Sequence, residues 1–159
     1  MKEPIPIGIS ISRNNGVASF GIQHASYRDY QDGDFIGNIS KGGSCNLETI
    51  TFTPHGNGTH TECFGHIAKN EVAFVNQCVN DAFFHALLFS SAQKLEKETN
   101  YLDLSALFNL DLTFYNALIL RSLPNDSNKK ATDYSGKNAP AIHPEDMQKL
   151  VNASIDHLL

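Results

Sequence analysis

A chain of 159 residues, 41% of them hydrophobic and 18% charged, has the length of one ordinary domain and is neither a disordered nor a coiled-coil sequence. Twelve Lys and Arg against seventeen Asp and Glu leave a net charge of −5, which excludes a basic footprint for nucleic acid or anionic lipid. The densest apolar run, residues 82–89 with His85 inside it, falls well short of the roughly 20 residues that a membrane helix needs.

No secretory signal is recognisable at the N-terminus, and three cysteines (Cys45, Cys63 and Cys78) are too sparse and odd a set for a disulfide framework. The expectation is a cytoplasmic protein with neither a nucleic-acid nor a membrane partner.

No repeat, low-complexity stretch or linker divides the chain. Ile5, Ile7, Ile9 and Ile11 alternate with Pro6, Gly8 and Ser10, which predicts a strand, and Asn14-Asn15-Gly16 suits a tight hairpin turn. Tyr27 to Asp34 is polar and aromatic and reads as a loop. Residues 35–39 are a strand candidate, with Lys41-Gly42-Gly43 as the next turn. Leu47, Ile50 and Phe52 belong to a further β segment that Pro54 ends.

The second half has a different pattern. Val72, Val75, Val79, Ala82 and Phe83 fall at helical spacing, and residues 86–89 form a short apolar strand candidate. Asp103 is placed to cap a short helix containing Leu104, Leu107 and Phe108. Residues 117–120 predict a fully buried strand. Polar residues without a hydrophobic period predict a long surface loop from Pro124 to Asn138. His143-Pro144-Glu145-Asp146 then opens a helix whose apolar face is Met147, Leu150 and Val151. Residues 155–159 read as the start of a buried strand. The expectation is a single domain over 1–159, incomplete at its C-terminal side, of α/β class: a mixed β-sheet core with flanking helices.

The chemistry is concentrated in Pro54-His55-Gly56-Asn57-Gly58-Thr59-His60-Thr61-Glu62-Cys63-Phe64-Gly65-His66. Imidazole and carboxylate are the usual ligands of zinc, manganese and iron(II). On a strand, His60 and Glu62 would share a face, and a bend at Gly65 would return His66 to it. Gly56 and Gly58 permit close backbone approach beside His55. A lone loop histidine is ordinarily surface decoration, but three with an intervening Glu form a candidate site. Cys63 reads as a small buried hydrophobe, and His85 as a core histidine.

The run Gly58-Thr59-His60-Thr61-Glu62, followed by His66, resembles the His-x-Gly-Thr-His-x-Asp-x-x-x-His signature of the cyclase family. These metal-dependent hydrolases include bacterial kynurenine formamidase. Ile7 to Ser12, Ile50 to Pro54, Ala117 to Arg121 and His143-Pro144-Glu145 also resemble family segments. The resemblance implies the cyclase/kynurenine formamidase fold, with His55, His60 and Glu62 as metal ligands and His66 as the proton carrier. Catalysis would then rest on Glu62 and His66. His55 lies five residues before His60 where the signature has four, and Glu62 stands where the family has Asp. Family members supply a further His and Glu from a C-terminal part that has no counterpart before Leu159. The resemblance also implies a homo-oligomer.

The functional expectation is a metal-dependent hydrolase of an amide (formamide-like) or related small carbonyl substrate, using zinc or manganese. The alternative is a non-catalytic module that binds metal or a small molecule at a degenerate site. Weaker candidates are Pro124-Asn125-Asp126 and Asp133-Tyr134-Ser135-Gly136-Lys137-Asn138 as a substrate entrance and Tyr27, Tyr30 and Phe35 as an aromatic wall.

Overall fold

In the computed structural model, which describes residues 3–70 and 72–159, short strands and helices alternate in a mixed α/β arrangement. Within the one expected domain, contacts group the chain into two units. The first holds the residues up to His60 together with Ser127–Lys137. The second holds Thr61–Asp126 and Asn138–Leu159.

The sheets of the first unit are antiparallel. They comprise β1 (Ser26–Asp29), β2 (Gln31–Asp32), β3 (Phe35–Ile36) and β4 (Glu48–Thr51), with β1 paired to β4 and β2 to β3. The loop expected over Tyr27–Asp34 is therefore corrected to a strand and a hairpin. Polarity misleads there because a two-stranded sheet keeps one face in water, and the alternate residues Ser26 and Arg28 are exposed. Tyr27 lies opposite Ile50, an aromatic–β-branched cross-strand pair. Gly33, at φ 54, supplies the left-handed turn between β2 and β3. The strand expected over 35–39 stops at Ile36. Asn38 then accepts from the Ser40 N–H at 2.9 Å and starts a 3₁₀ turn over Ile39–Lys41, which Gly42 closes at φ 94.

The isoleucine alternation at 5–11 does not form a strand. Its link is local: Thr59 N–H donates to the Ile9 carbonyl at 3.0 Å, and Ile9 N–H donates to Thr59 Oγ1 at 2.7 Å. Pro6 has no donor to give a ladder, and Ile5 and Ile7 are exposed. The 14–16 turn is present, with Asn15 at φ 52, but no hairpin follows it. Instead the buried Ala18 is tied to the 127–137 segment, donating to Thr132 at 3.3 Å and accepting from Tyr134 at 2.8 Å. That part of the expected loop is thus bonded into the first unit. The unit's helix is α1 (Pro54–Asn57), so Pro54 begins a helical turn as well as ending a β segment.

In the second unit the elements are α2 (Val75–Cys78), β5 (Ala86–Ser91), β6 (Gln93–Glu96), β7 (Thr99–Leu102), β8 (Ala117–Ser122), α3 (Pro144–Asn152) and β9 (His157–Leu158). β5, β8 and β9 form a parallel sheet in that order, with register Ala86↔Ala117 and Ala117↔His157. Parallel neighbours require long crossovers, and α3 lies in the one between β8 and β9. The connection from β5 to β8 contains the β6–β7 hairpin, which the sequence reading omits. Lys97, at φ 57, makes its turn.

Leu102, Leu104, Leu107, Leu112, Leu118 and Leu150 form the core, with Leu87, Phe89, Leu120, Ile142 and Ile155 packed against it. The helix expected from Val72 to Phe83 contracts to the four residues of α2. Valine, Asn80 and Asp81 are weak helix formers, and Val72 and Phe83 are exposed, so no packed face supports a longer helix. α3 opens as expected, with His143 Nδ1 accepting from the Glu145 N–H at 3.3 Å. Its buried residue is Leu150, while Met147 and Val151 remain exposed. Among the described residues, no helix is long and apolar enough to cross a membrane.

The short helix expected after Asp103 is a 3₁₀ turn over Leu107–Asn109 whose N-cap position is Ala106, so Asp103 does not cap it and instead fastens the bend before it. Asp103 Oδ1 accepts from the Ser105 N–H at 3.1 Å and from the Ser105 hydroxyl at 2.7 Å, which holds the carboxyl below its ordinary value. The folded state therefore favours ionised Asp103, and this contribution is present near neutrality and lost as pH falls through the acid range. Asp103→Ala should destabilise the protein more at about pH 7 than at about pH 3 in urea melts, and an equal effect at both would refute the assignment. Leu118 is fully buried, so Leu118→Ala should cost about 2–5 kcal/mol by the same measurement.

Candidate metal centre

The first half of the candidate site is built on α1. Thr53 is extended and Pro54 pre-sets the first helical φ, which favours a helical turn here. Asn57, 1% exposed, closes that turn. Its Oδ1 accepts from the Thr53 N–H at 2.8 Å, and its Nδ2 donates to the Gln23 carbonyl at 3.0 Å. A Cβ at Gly56 would lie 2.9 Å from the Ile22 side chain, and one at Gly58 would lie 3.1 Å from the Ile9 carbonyl. The close approach thus favours glycine at both positions. The φ of 173 at Gly58 is ordinary extended backbone.

This packing sets the two histidines side by side, with ring centroids 4.7 Å apart for His55 and His60. His60 Nδ1 lies 3.0 Å from the Gly58 carbonyl. A carbonyl only accepts, so Nδ1 donates to it, and in the neutral ring the lone pair then lies on Nε2. Metal-binding histidines commonly have their tautomer and orientation set in this way.

The second half begins at Thr61, where the chain enters the second unit. The strand geometry expected for His60 and Glu62 is corrected, since neither residue lies in a strand. The chain runs irregularly to a 3₁₀ turn over Phe64–His66, and this turn brings His66 Nε2 to 3.8 Å from Glu62 Oε2. Both side chains are about half exposed (49% and 50%). Gly65 lies in the turn because a Cβ there would lie 2.4 Å from the Ala73 carbonyl. The structure therefore pairs His55 with His60 in one unit and Glu62 with His66 in the other. His55, Glu62 and His66 each offer an imidazole nitrogen or a carboxylate oxygen of the kind that divalent metals take.

Other sequence candidates have structural roles. His85 is exposed, which corrects its reading as a core residue. Its backbone N–H donates to Asn116 Oδ1 at 3.1 Å, so the main chain at this position anchors the start of β8. His143 caps α3 and lies edge-on to Tyr101, and the His157 ring lies 4.1 Å from that of Phe84. Cys63 is half-buried, its thiol donating to the Ala73 carbonyl at 3.5 Å.

Tyr27 lies 4.4 Å beneath the Arg13 guanidinium, at a cleft of about 420 Å³ also lined by Arg28, Asp29, Lys41 and Glu48. Arg13 and Lys41 bind Glu48 and Asp29 at 2.5 and 2.6 Å, and these cations hold both carboxyls below their ordinary values. The pairings account for those charges within the unit. Tyr30 and Phe35 pack on each other with centroids 6.3 Å apart.

The residue that sequence reasoning missed is Asn57. Its available signal was a polar side chain between two glycines in a histidine-bearing segment, where a buried amide has several backbone groups within reach. Comparison with known proteins yields no relative: no family model, curated protein or solved structure matches the chain.

Asn57→Ala would leave the Thr53 N–H and the Gln23 carbonyl without this partner, at a cost of about 1–3 kcal/mol. It should also change the NMR signals of the His55 and His60 rings. Unchanged stability together with unchanged histidine spectra would show that Asn57 does not organise the turn.

Proposed function

We propose that the 55–66 segment holds a divalent metal, zinc or manganese, and that the protein hydrolyses an amide (formamide-like) or related C–N or C–O carbonyl substrate. The observation that carries this reading is His60, whose Nδ1–H is bonded to the Gly58 carbonyl beside the ring of His55. The donor set suits the metal, since imidazoles and a carboxylate are ordinary zinc and manganese ligands. A bound ion of this kind supplies Lewis acidity, acidifying water and polarising a carbonyl.

The chain's own residues divide the remaining work. His55 and His60 present imidazole nitrogens, and Glu62 provides the carboxylate that holds the ion and orients the attacking water. His66, 3.8 Å from Glu62, carries a proton to the leaving nitrogen. The Glu62–His66 pairing also favours a second reading, in which His66 is itself a ligand. The proposal includes a fold of the cyclase/kynurenine formamidase type and a cytoplasmic homo-oligomer. Ile39, Leu47, Ile50 and Phe52 are all exposed in the sparsely charged 33–52 region, which supports self-association.

The test is metal analysis and hydrolysis assays on formamides, lactones and ureides with zinc or manganese supplied. His60→Ala should weaken metal binding about 10–100-fold and abolish turnover. His66→Ala that keeps its metal but loses turnover supports the proton role, whereas loss of metal supports the ligand role. Stoichiometric metal without turnover on any substrate class would leave a binding module, and equal metal affinity in His60→Ala and wild type would overturn the site.

A further inference from the structure

The dipeptide Asn-Gly occurs twice in the chain, at Asn15-Gly16 and Asn57-Gly58, and both copies lie in the first unit. Each copy carries the same latent chemistry, because glycine has no Cβ to shield its backbone nitrogen from the asparagine side chain before it. The fold treats the two copies differently. Asn57 is 1% exposed, and its amide is held at both ends: Oδ1 accepts from the Thr53 N–H at 2.8 Å and Nδ2 donates to the Gln23 carbonyl at 3.0 Å. Asn15 is exposed, and its φ of 52 is the left-handed conformation, which costs backbone energy in any residue with a Cβ. Among the described residues, no hydrogen bond holds the Asn15 side-chain amide or the Gly16 N–H. The nearest tie in the turn is the Ser12 hydroxyl, which donates to the Asn14 carbonyl at 2.8 Å. Gly16, Val17 and Ala18 are buried, which anchors the chain beyond the turn and leaves the Asn15 side chain as the group that must swing.

We propose that Asn15-Gly16 is a spontaneous modification site that converts to aspartate and isoaspartate with water as its co-reactant, and that the fold protects Asn57-Gly58 from the same reaction. The Gly16 backbone nitrogen attacks Asn15 Cγ, forming a C–N bond and closing a succinimide ring. The Cγ–Nδ2 bond breaks, and ammonia leaves with the proton from the Gly16 nitrogen. Water then adds to either ring carbonyl. Addition at Cγ breaks the new C–N bond and gives aspartate. Addition at the Asn15 main-chain carbonyl carbon breaks the original peptide C–N bond and gives isoaspartate, in which the chain runs through the side-chain carbon. One water is consumed and one ammonia released, and no atom is oxidised or reduced. The product places a carboxylate two residues from Arg13, the cation that pairs with Glu48 where Glu48 stands opposite Asp29 in the β1–β4 sheet. This site is independent of the metal reading.

The test holds the whole folded chain at mildly alkaline pH in heavy-oxygen water, with a chelator present throughout so that failure of the metal reading leaves the result untouched. Proteolysis and peptide mass spectrometry with electron-transfer fragmentation then score asparagine, aspartate and isoaspartate at positions 15 and 57. The expected result is heavy-oxygen uptake at position 15 at least about tenfold faster than at 57, because Asn57 reacts only from molecules that have opened locally and broken both of its bonds. Isoaspartate should be present among the products, and guanidinium chloride should bring the two sites to comparable rates. Gly16→Ala should slow conversion at position 15, although its Cβ would lie 3.2 Å from the Ser12 carbonyl. Asn15→Gln, which leaves the backbone and Gly16 unaltered, should abolish it. Equal rates at the two sites in the folded chain would overturn the proposal. So would an intact Asn15 in a folded chain whose denatured form converts, or aspartate at position 15 without isoaspartate.

Discussion

The buried amide of Asn57 is the constraint on which the histidine-bearing part of the first unit depends. A side chain with both donor and acceptor groups is costly to bury unless both are satisfied. Here the oxygen takes the Thr53 N–H and the nitrogen reaches the Gln23 carbonyl. These bonds close a helical turn of only four residues, too short to persist on its own intrahelical bonding. Gly56 and Gly58 then let neighbouring chain come close enough to hold the turn from outside. His55 and His60 acquire their adjacency from this local packing.

The second unit is stabilised differently. Its leucine core lies between the parallel strands β5 and β8 and the segments around β7 and α3, so hydrophobic burial carries most of the stability there. The 3₁₀ turn over Phe64–His66 and α2, in contrast, contain no buried residue. Asp103 shows polar closure inside the core region, where a carboxylate fastens the turn that delivers Leu104 and Leu107. In both units, short elements are completed by side chains that bond backbone groups.

For chemistry, the consequence is a division of labour along twelve residues. The Gly58 carbonyl assigns a tautomer to His60, and the 3₁₀ turn gives Glu62 a histidine neighbour. The first effect presents a ring nitrogen and the second sets a titratable group beside a carboxylate. On the proposed metal reading, the first would serve as a ligand and the second as a proton carrier.

The sequence by itself determined the features that local chemistry controls. The apolar runs at 86–89 and 117–120 became β5 and β8, and His143-Pro144 opened α3, because apolar runs and helix starts carry strong local signals, although β5 leaves Ala86 and Leu88 exposed and β8 fully buries only Ala117 and Leu118 of the four residues expected to be buried. The concentration of His and Glu at 55–66 was equally legible. Tertiary structure alone decided which extended segments acquired partners. The isoleucine alternation at 5–11 was left without a ladder, while the polar stretch at 26–32 found Glu48–Thr51 and Phe35–Ile36. It likewise paired His66 with Glu62, exposed His85, shortened the 72–83 helix and buried Asn57. The physical reason is common to all of these: periodicity specifies a backbone conformation and a face, but strand pairing, burial and polar satisfaction depend on groups supplied by distant chain.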